Sequence, residues 1–268
     1  MTHRIKTIGL LRFSVLTPTY YHQTFKTLDK IAAHIFDPER LALRFHIFEN
    51  LCLPSLVRQT DPDFDAVVLT AESLPAEAME RLQDMLDPLP NIHLRAVGTD
   101  NHYQLIKGGY DAHTPEDCTH RIMFRLDDDD AVDLDFVART KARAAGLMAM
   151  QNPDEPTIIA YNRGFYVSRS EDGNEVFDAV ERAPLSTGTA LVAPVTHATN
   201  PYRYVHRKFA QHYSTYSDIS VPAFVRTIHG DNKSTPTQMG ITHKMRPKHI
   251  DAALQSGFGT NLRKLKRL

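Results

Sequence analysis

Tryptophan is absent from this 268-residue chain, so any platform for stacking a sugar ring must come from its 10 tyrosines or 13 phenylalanines. Cysteine is scarce. Cys52 and Cys118 stand far apart and match no zinc-ligand spacing. Two thiols without a framework point to a reducing compartment, and the expected setting is cytoplasmic. No run approaches the roughly 20 apolar residues of a membrane helix. Leu10 and Leu11 are followed at once by Arg12, which leaves residues 1–30 without a secretory pattern. Charge of either sign is not in excess: 31 basic and 32 acidic residues leave a net charge of -1. That balance gives no electrostatic ground for a nucleic-acid partner. Repeats and low-complexity tracts are also lacking.

What is present is a chain with 42% hydrophobic residues, enough to bury a sizeable core. Strand-like and helix-like segments alternate. Ile8–Thr17 reads as a first strand and Leu43–Gln59 as a helix that Pro54 should kink or restart. Phe64–Thr70 and Asn91–Val97 read as strands on either side of a helix over Pro75–Leu86. Arg121–Leu126 is a fourth strand, Leu134–Met150 a long helix with Asp133 as its N-cap, and Thr157–Val167 a further strand. Asp172-Gly173 marks a hairpin turn, Pro201–Tyr213 a helix and Val221–His229 a late strand. This order predicts an α/β fold with an open, largely parallel mixed sheet and helices on both faces. A single domain is expected over residues 1–268, with 1–135 as a donor half and 136–268 as an acceptor half.

The fourth strand runs directly into Asp127-Asp128-Asp129-Asp130. Ligands of open α/β sheets bind at the carboxyl ends of the strands. Carboxylates suit Mg²⁺ or Mn²⁺, and such a cation can bridge a diphosphate and offset the charge that develops as a sugar departs. In an extended segment Asp127 and Asp129 would face one way, and Asp128 and Asp130 the other. The simpler reading is a solvated acidic turn before a helix, but four adjacent carboxylates repel and need a counter-charge. An EF-hand loop requires glycine at its sixth position, where Val132 stands.

Four segments, in order, resemble bacterial nucleotide-sugar glycosyltransferases of the GT-A type, and their rhamnosyltransferase family in particular. They are Arg12–Val15, the helix–QT–strand stretch Leu53–Thr70, the strand–DxD–helix stretch Arg125–Val137, and Ile228-His229-Gly230-Asp231-Asn232. Together they span most of residues 10–235. The resemblance implies a GT-A-like fold, a nucleotide-sugar donor, a glycan or small hydroxyl acceptor, and Mn²⁺ or Mg²⁺ as cofactor. By position it places Asp127 near the ribose and metal and Asp129 as the more direct ligand. Asp130 matches the third acidic residue, and His229 the late histidine that completes the metal site. Arg12, Arg125 and Asn232 fall on the donor side. Relatives end the second strand on an Asp-Asp-Gly-Ser type motif, whereas this chain has Thr70-Ala71-Glu72-Ser73, which leaves Glu72 to meet the base. No residue specifies rhamnose.

An inverting transferase needs a general base near the acceptor hydroxyl. His197 and Asp218 are the candidates in the second half; His206, beside Arg207 and Lys208, reads as a surface residue. The basic end, residues 263–267, reads as a frayed, solvated terminus, with peripheral contact to anionic lipid as the alternative. Two other functions share the scaffold: a non-catalytic glycan- or nucleotide-binding module, and a metal-dependent phosphotransferase or phosphodiesterase.

Overall fold

Alternation of side chains decides how the central sheet is covered. In β2 (Asp65–Ala71), Ala66 and Val68 face one core while Val67 and Leu69 face another. The same split occurs in β4 (His120–Arg125), with Phe124 on one side and Met123 on the other. Strands buried on both faces must be near-continuously apolar, as these are. The computed structural model describes residues 3–230, 240–243 and 245–268.

Seven strands form the first sheet. Besides β2 and β4 they are β1 (Ile5–Arg12), β3 (Ile92–Val97), β6 (Thr157–Tyr161), β9 (Ala190–Pro194) and β10 (Ser214–Asp218), in the order β10-β6-β9-β4-β1-β2-β3. The β4-β1-β2-β3 block is parallel, and β9 runs antiparallel between β4 and β6. One face is covered by α2 (Pro38–Ile47), α3 (Leu53–Val57), α4 (Ala76–Leu86) and α6 (Phe136–Met150). The other is covered by α5 (His102–Asp111) and a 3₁₀ turn at His206–Gln211. The short α1 (Leu28–Ile35) packs beside Leu16 and Ala71. The expected α/β class, largely parallel with helices on both faces, is the one observed.

A second sheet has the order β12-β8-β7-β11-β5, formed by β5 (Asp130–Val132), β7 (Arg163–Ser168), β8 (Glu175–Glu181), β11 (Phe224–Ile228) and β12 (Gly240–His243). Helix α7 (Pro247–Phe258) packs Ile250, Leu254 and Phe258 on it. The expected strand Thr157–Val167 is therefore two strands in two sheets. They part at Asn162, whose N–H bonds Asp218 O at 2.9 Å and whose side chain bonds Glu181 O at 3.1 Å. The chain also crosses between the sheets at the acidic run, between β4 and β5. Each sheet consequently joins strands from both sequence halves.

Other expectations change in detail. Pro54 marks a fresh helical start, one of the two outcomes expected of it. A π turn at Phe48–Cys52 joins α2 to α3 and places Pro54 in a first turn, where its missing N–H costs nothing. Only the 3₁₀ turn forms within Pro201–Tyr213, because the Asn200 side chain takes the Tyr202 N–H at 2.9 Å and turns the chain. The basic terminus is not frayed. Leu265, at the end of α8 (Leu262–Leu265), and Leu268 are buried, and both carbonyls accept from the Asn174 side chain at 2.9 Å.

The glutamine of the QT pair explains why that dipeptide matters. Gln59 is buried; its Nε2 donates to Ser55 O and Asp133 O, each at 2.7 Å, and its Oε1 accepts from Val137 N at 2.9 Å. It thus ties α3 to the start of α6, just after the acidic run. Gln59→Leu removes, at similar volume, the side-chain partner of the Val137 amide and of the Ser55 and Asp133 carbonyls, the last of which keeps the Phe136 N–H. The expected loss is about 2–4 kcal/mol, read as a lower urea midpoint with an unchanged slope; an unchanged midpoint would refute this role.

Candidate functional site

The four aspartates do not continue a strand. They form a turn closed by the Asp130 N–H to Asp127 O bond at 3.1 Å, so alternation by twos fails here. Each carboxylate faces a different partner. Arg12, at the carboxyl end of β1, donates to Asp127 at 2.5 Å. Arg44 of α2 is buried and pairs with Asp128 through Nε at 3.0 Å and through Nη2, while its Nη1 reaches Asp129 at 2.8 Å. His229 Nε2 meets the same Asp129 oxygen at 2.9 Å. Asp130, in β5, accepts from Thr187 Oγ1 and from the Thr227 N–H at 3.3 Å, with Arg226 Nε at 4.0 Å.

Burial alone would raise every one of these carboxyls. For Asp127, burial is outweighed by Arg12, Arg125 and Arg226, which hold it far below the usual range. For Asp129, burial is outweighed by Arg44 and the His229 hydrogen bond, which bring it to about 2. Asp130 goes the other way. Its burial, opposed by Arg226 but reinforced by the charges of Asp129 and Asp127, pushes it up to about 8. Its two oxygens are held by Thr187 Oγ1 and the Thr227 N–H, which tie Asp130 into the turn.

Strand pairing makes the Asp129–His229 contact across 100 residues of sequence. β11 runs antiparallel to β5, with Arg226 opposite Asp130. Three residues beyond that register, the chain brings His229 beside Asp129, and Thr227 Oγ1 fixes Asp129 O at 2.8 Å. Tyr202 closes another side. Its hydroxyl donates to Leu10 O at 2.9 Å, and its ring lies 4.2 Å from the Arg125 guanidinium and 5.3 Å from that of Arg12.

Other expected residues are placed as follows. Glu72 is exposed just past the end of β2, on the same strand-end side as Arg12. Asn232 lies outside the described residues. His197 is not brought to the cluster. It follows β9, whose Pro194 pairs with His120, and it accepts from Arg121 through its carbonyl at 3.3 Å. Those contacts put it at the start of β4, the opposite end from Asp127. Asp218 ends the edge strand β10, and its carboxylate is taken by Ser220 N at 2.8 Å, Ser220 Oγ at 2.6 Å and Arg143 at 3.2 Å. Its burial is outweighed by those bonds and its carboxyl is lowered, which makes it a poor base. His206, read from sequence as a surface residue, is instead partly buried near the site. Burial, Arg125 and Arg226 lower it to about 3, so its ring is neutral. His102, beside Arg12 at 3.4 Å, is lowered to about 3 by burial, Arg12 and Arg125. Arg44, Arg226, Thr187, Thr227, Tyr202 and His102 were not singled out from sequence. The signal available was the four adjacent carboxylates, which demand cations from elsewhere, and arginines set within apolar segments.

These features define an α/β protein with an acidic turn, ringed by arginines, at the carboxyl ends of its parallel strands. The chain belongs to the family described as "Putative rhamnosyl transferase", which matches residues 6–241, and so to a glycosyltransferase-like group. No curated protein sequence matches it. Among solved structures it is similar to S. aureus TarS 1–349 in complex with UDP-GlcNAc, at TM-score 0.45 and 9% identity over 94% of this chain and 65% of that one. The same TarS fragment with UDP matches at TM-score 0.41 and 11% identity, over 83% of this chain and 60% of that one. The chain thus spans less than two thirds of those solved chains.

Arg44→Met removes the cation between Asp128 and Asp129 at similar volume. The expected cost is about 3–5 kcal/mol at pH 7, because buried charge is left unpaired. Asp129 sits at about 2 when folded, against about 3.9 unfolded. Its ion-pair stabilisation is therefore present above about pH 4 and fades as pH falls toward 2. The mutant's deficit should narrow over that window in denaturant titrations; a deficit below 1 kcal/mol, or one flat with pH, would contradict the pairing.

Proposed function

We propose that this crevice binds the diphosphate of a nucleotide-sugar through a divalent cation and directs transfer of the sugar to a hydroxyl acceptor. The observation that carries the reading is the convergence of Asp129 Oδ2 and His229 Nε2 at 2.9 Å, made by the β5–β11 pairing. One carboxylate and one imidazole are a donor set that fits Mn²⁺ better than Mg²⁺. Asp129 and His229 would hold the cation, with Asp127 nearby; Asp130 is left out because its oxygens are engaged. When bound, the cation supplies a positive charge to the diphosphate as it leaves.

The chain's own residues supply the rest. Arg12 and Arg125 both lie against the Tyr202 ring and add fixed positive charge next to the turn. Their field favours a polyanion and is in place before the reaction, so it needs no reorganisation. Arg44, paired with Asp128 and Asp129, fixes the orientation of the carboxylate that faces His229. Exposed Glu72, at the end of β2, is positioned for the nucleobase. His206 stays neutral at pH 7 and can accept a hydrogen bond from a ligand hydroxyl.

Calorimetry with UDP, in Mn²⁺ and in chelator, tests the cation bridge. Binding should weaken at least tenfold in chelator, and equal affinity in both would remove the bridge. Asp129→Asn should keep the fold yet lower transfer by about 10²–10³, the usual effect of losing one charge-stabilising group. Full turnover at saturating donor would exclude that role.

A further inference from the structure

A second cluster lies at the other end of the central sheet. Asp65 opens β2, His93 is the second residue of β3, and His113 follows α5. Asp65 pairs with Ile8 of β1, whereas Arg12 pairs with Leu69. Four residues at about 3.3 Å each put Asp65 roughly 13 Å along the strands from Arg12, away from the acidic turn.

We propose that Asp65, His93 and His113 form a transition-metal site, with Zn²⁺ as its occupant, distinct from the donor crevice. Each offers one ligand atom, and the three atoms lie within 4.8 Å of one another. His93 Nε2 is already 2.9 Å from Asp65 Oδ1. The two imidazole rings stack, with centroids 4.5 Å apart and planes 27° from parallel. Two nitrogens and one carboxylate oxygen are the ligands of an open tetrahedral zinc site, in which bonds of about 2.0–2.1 Å set ligand atoms about 3.3 Å apart. Closing from 4.8 Å needs only side-chain rotation, because all three residues are partly exposed. The remaining oxygen of Asp65 is held by Lys6 Nζ at 2.6 Å, which fixes the carboxylate as a one-oxygen ligand. The donor set also chooses the metal: two imidazoles disfavour Mg²⁺ and Ca²⁺, which prefer oxygen. A bound ion would staple the edge strand β3 to β2 and to the turn after α5. Since edge strands are the weak margin of an open sheet, the site's effect is on stability and not on transfer.

Calorimetry and thermal unfolding of the full chain with Zn²⁺ alone test this. One equivalent should bind, and the melting temperature should rise. His113→Ala and His93→Ala should each weaken binding at least tenfold and remove the rise, while Asp129→Asn and His229→Ala keep both. His113→Ala retains the Asp65–His93 and Asp65–Lys6 contacts, so it should fold. Failure of wild type to bind Zn²⁺, or binding that survives His113→Ala but not His229→Ala, would overturn the proposal. In that case Asp65, His93 and Lys6 are an ion-pair network only.

Discussion

Four adjacent carboxylates, three of them buried and Asp127 partly so, are the constraint around which this fold is arranged. Their mutual repulsion and lost hydration would cost several kcal/mol per charge if nothing met them. Three are met by side chains from distant segments: Arg12 of β1 pairs with Asp127, Arg44 of α2 with Asp128 and Asp129, and the His229 ring just after β11 also meets Asp129. The fourth, Asp130, is met by protonation and by the hydroxyl and amide of Thr187 and Thr227. The turn is also where the chain passes from the first sheet to the second. Pairing those charges and joining those sheets are thus one structural event, and the site is as firm as the junction beneath it.

The parts of the fold that repeat were legible in the sequence. Apolar β-branched runs gave β2 and β4 to within a residue, since strands buried on two faces have little else to be made of. The acidic run and His229 were legible as well, one from its charge density and the other from its family motif. Contacts that require two segments to meet were not. Arg44 looked like one cation on a helix, and nothing local says that it spans Asp128 and Asp129. The break at Asn162 was invisible because β6 and β7 are both strand-like and largely buried, and only their sheets differ. His197 and Asp218 had the right chemistry for a base, but strand direction put one at the wrong end of β4 and an arginine with a serine turn consumed the other. The partners of Asp130 were hidden for a related reason: in a turn, neighbours do not alternate, so its oxygens face Thr187 and Thr227.

The two ends of the central sheet carry different chemistry. At the carboxyl ends, Arg12 and Arg125 lie against Tyr202 beside the acidic turn, giving a charged crevice suited to a polyanion. At the amino ends, Asp65, His93 and His113 form a smaller nitrogen-rich cluster on the sheet margin. A parallel sheet separates such functions naturally, since every strand delivers one terminus to each end.

The account stands on Asp129 and His229 sharing one cation. Pulsed electron paramagnetic resonance of Mn²⁺ added with UDP reads this directly, because a coordinated imidazole imprints nitrogen modulation on the echo. With the Asp65, His93 and His113 cluster removed by His113→Ala, the signal should show one such nitrogen, and adding His229→Ala should abolish it. Nucleotide-dependent Mn²⁺ binding with no nitrogen modulation, or modulation unchanged without His229, would contradict the claim.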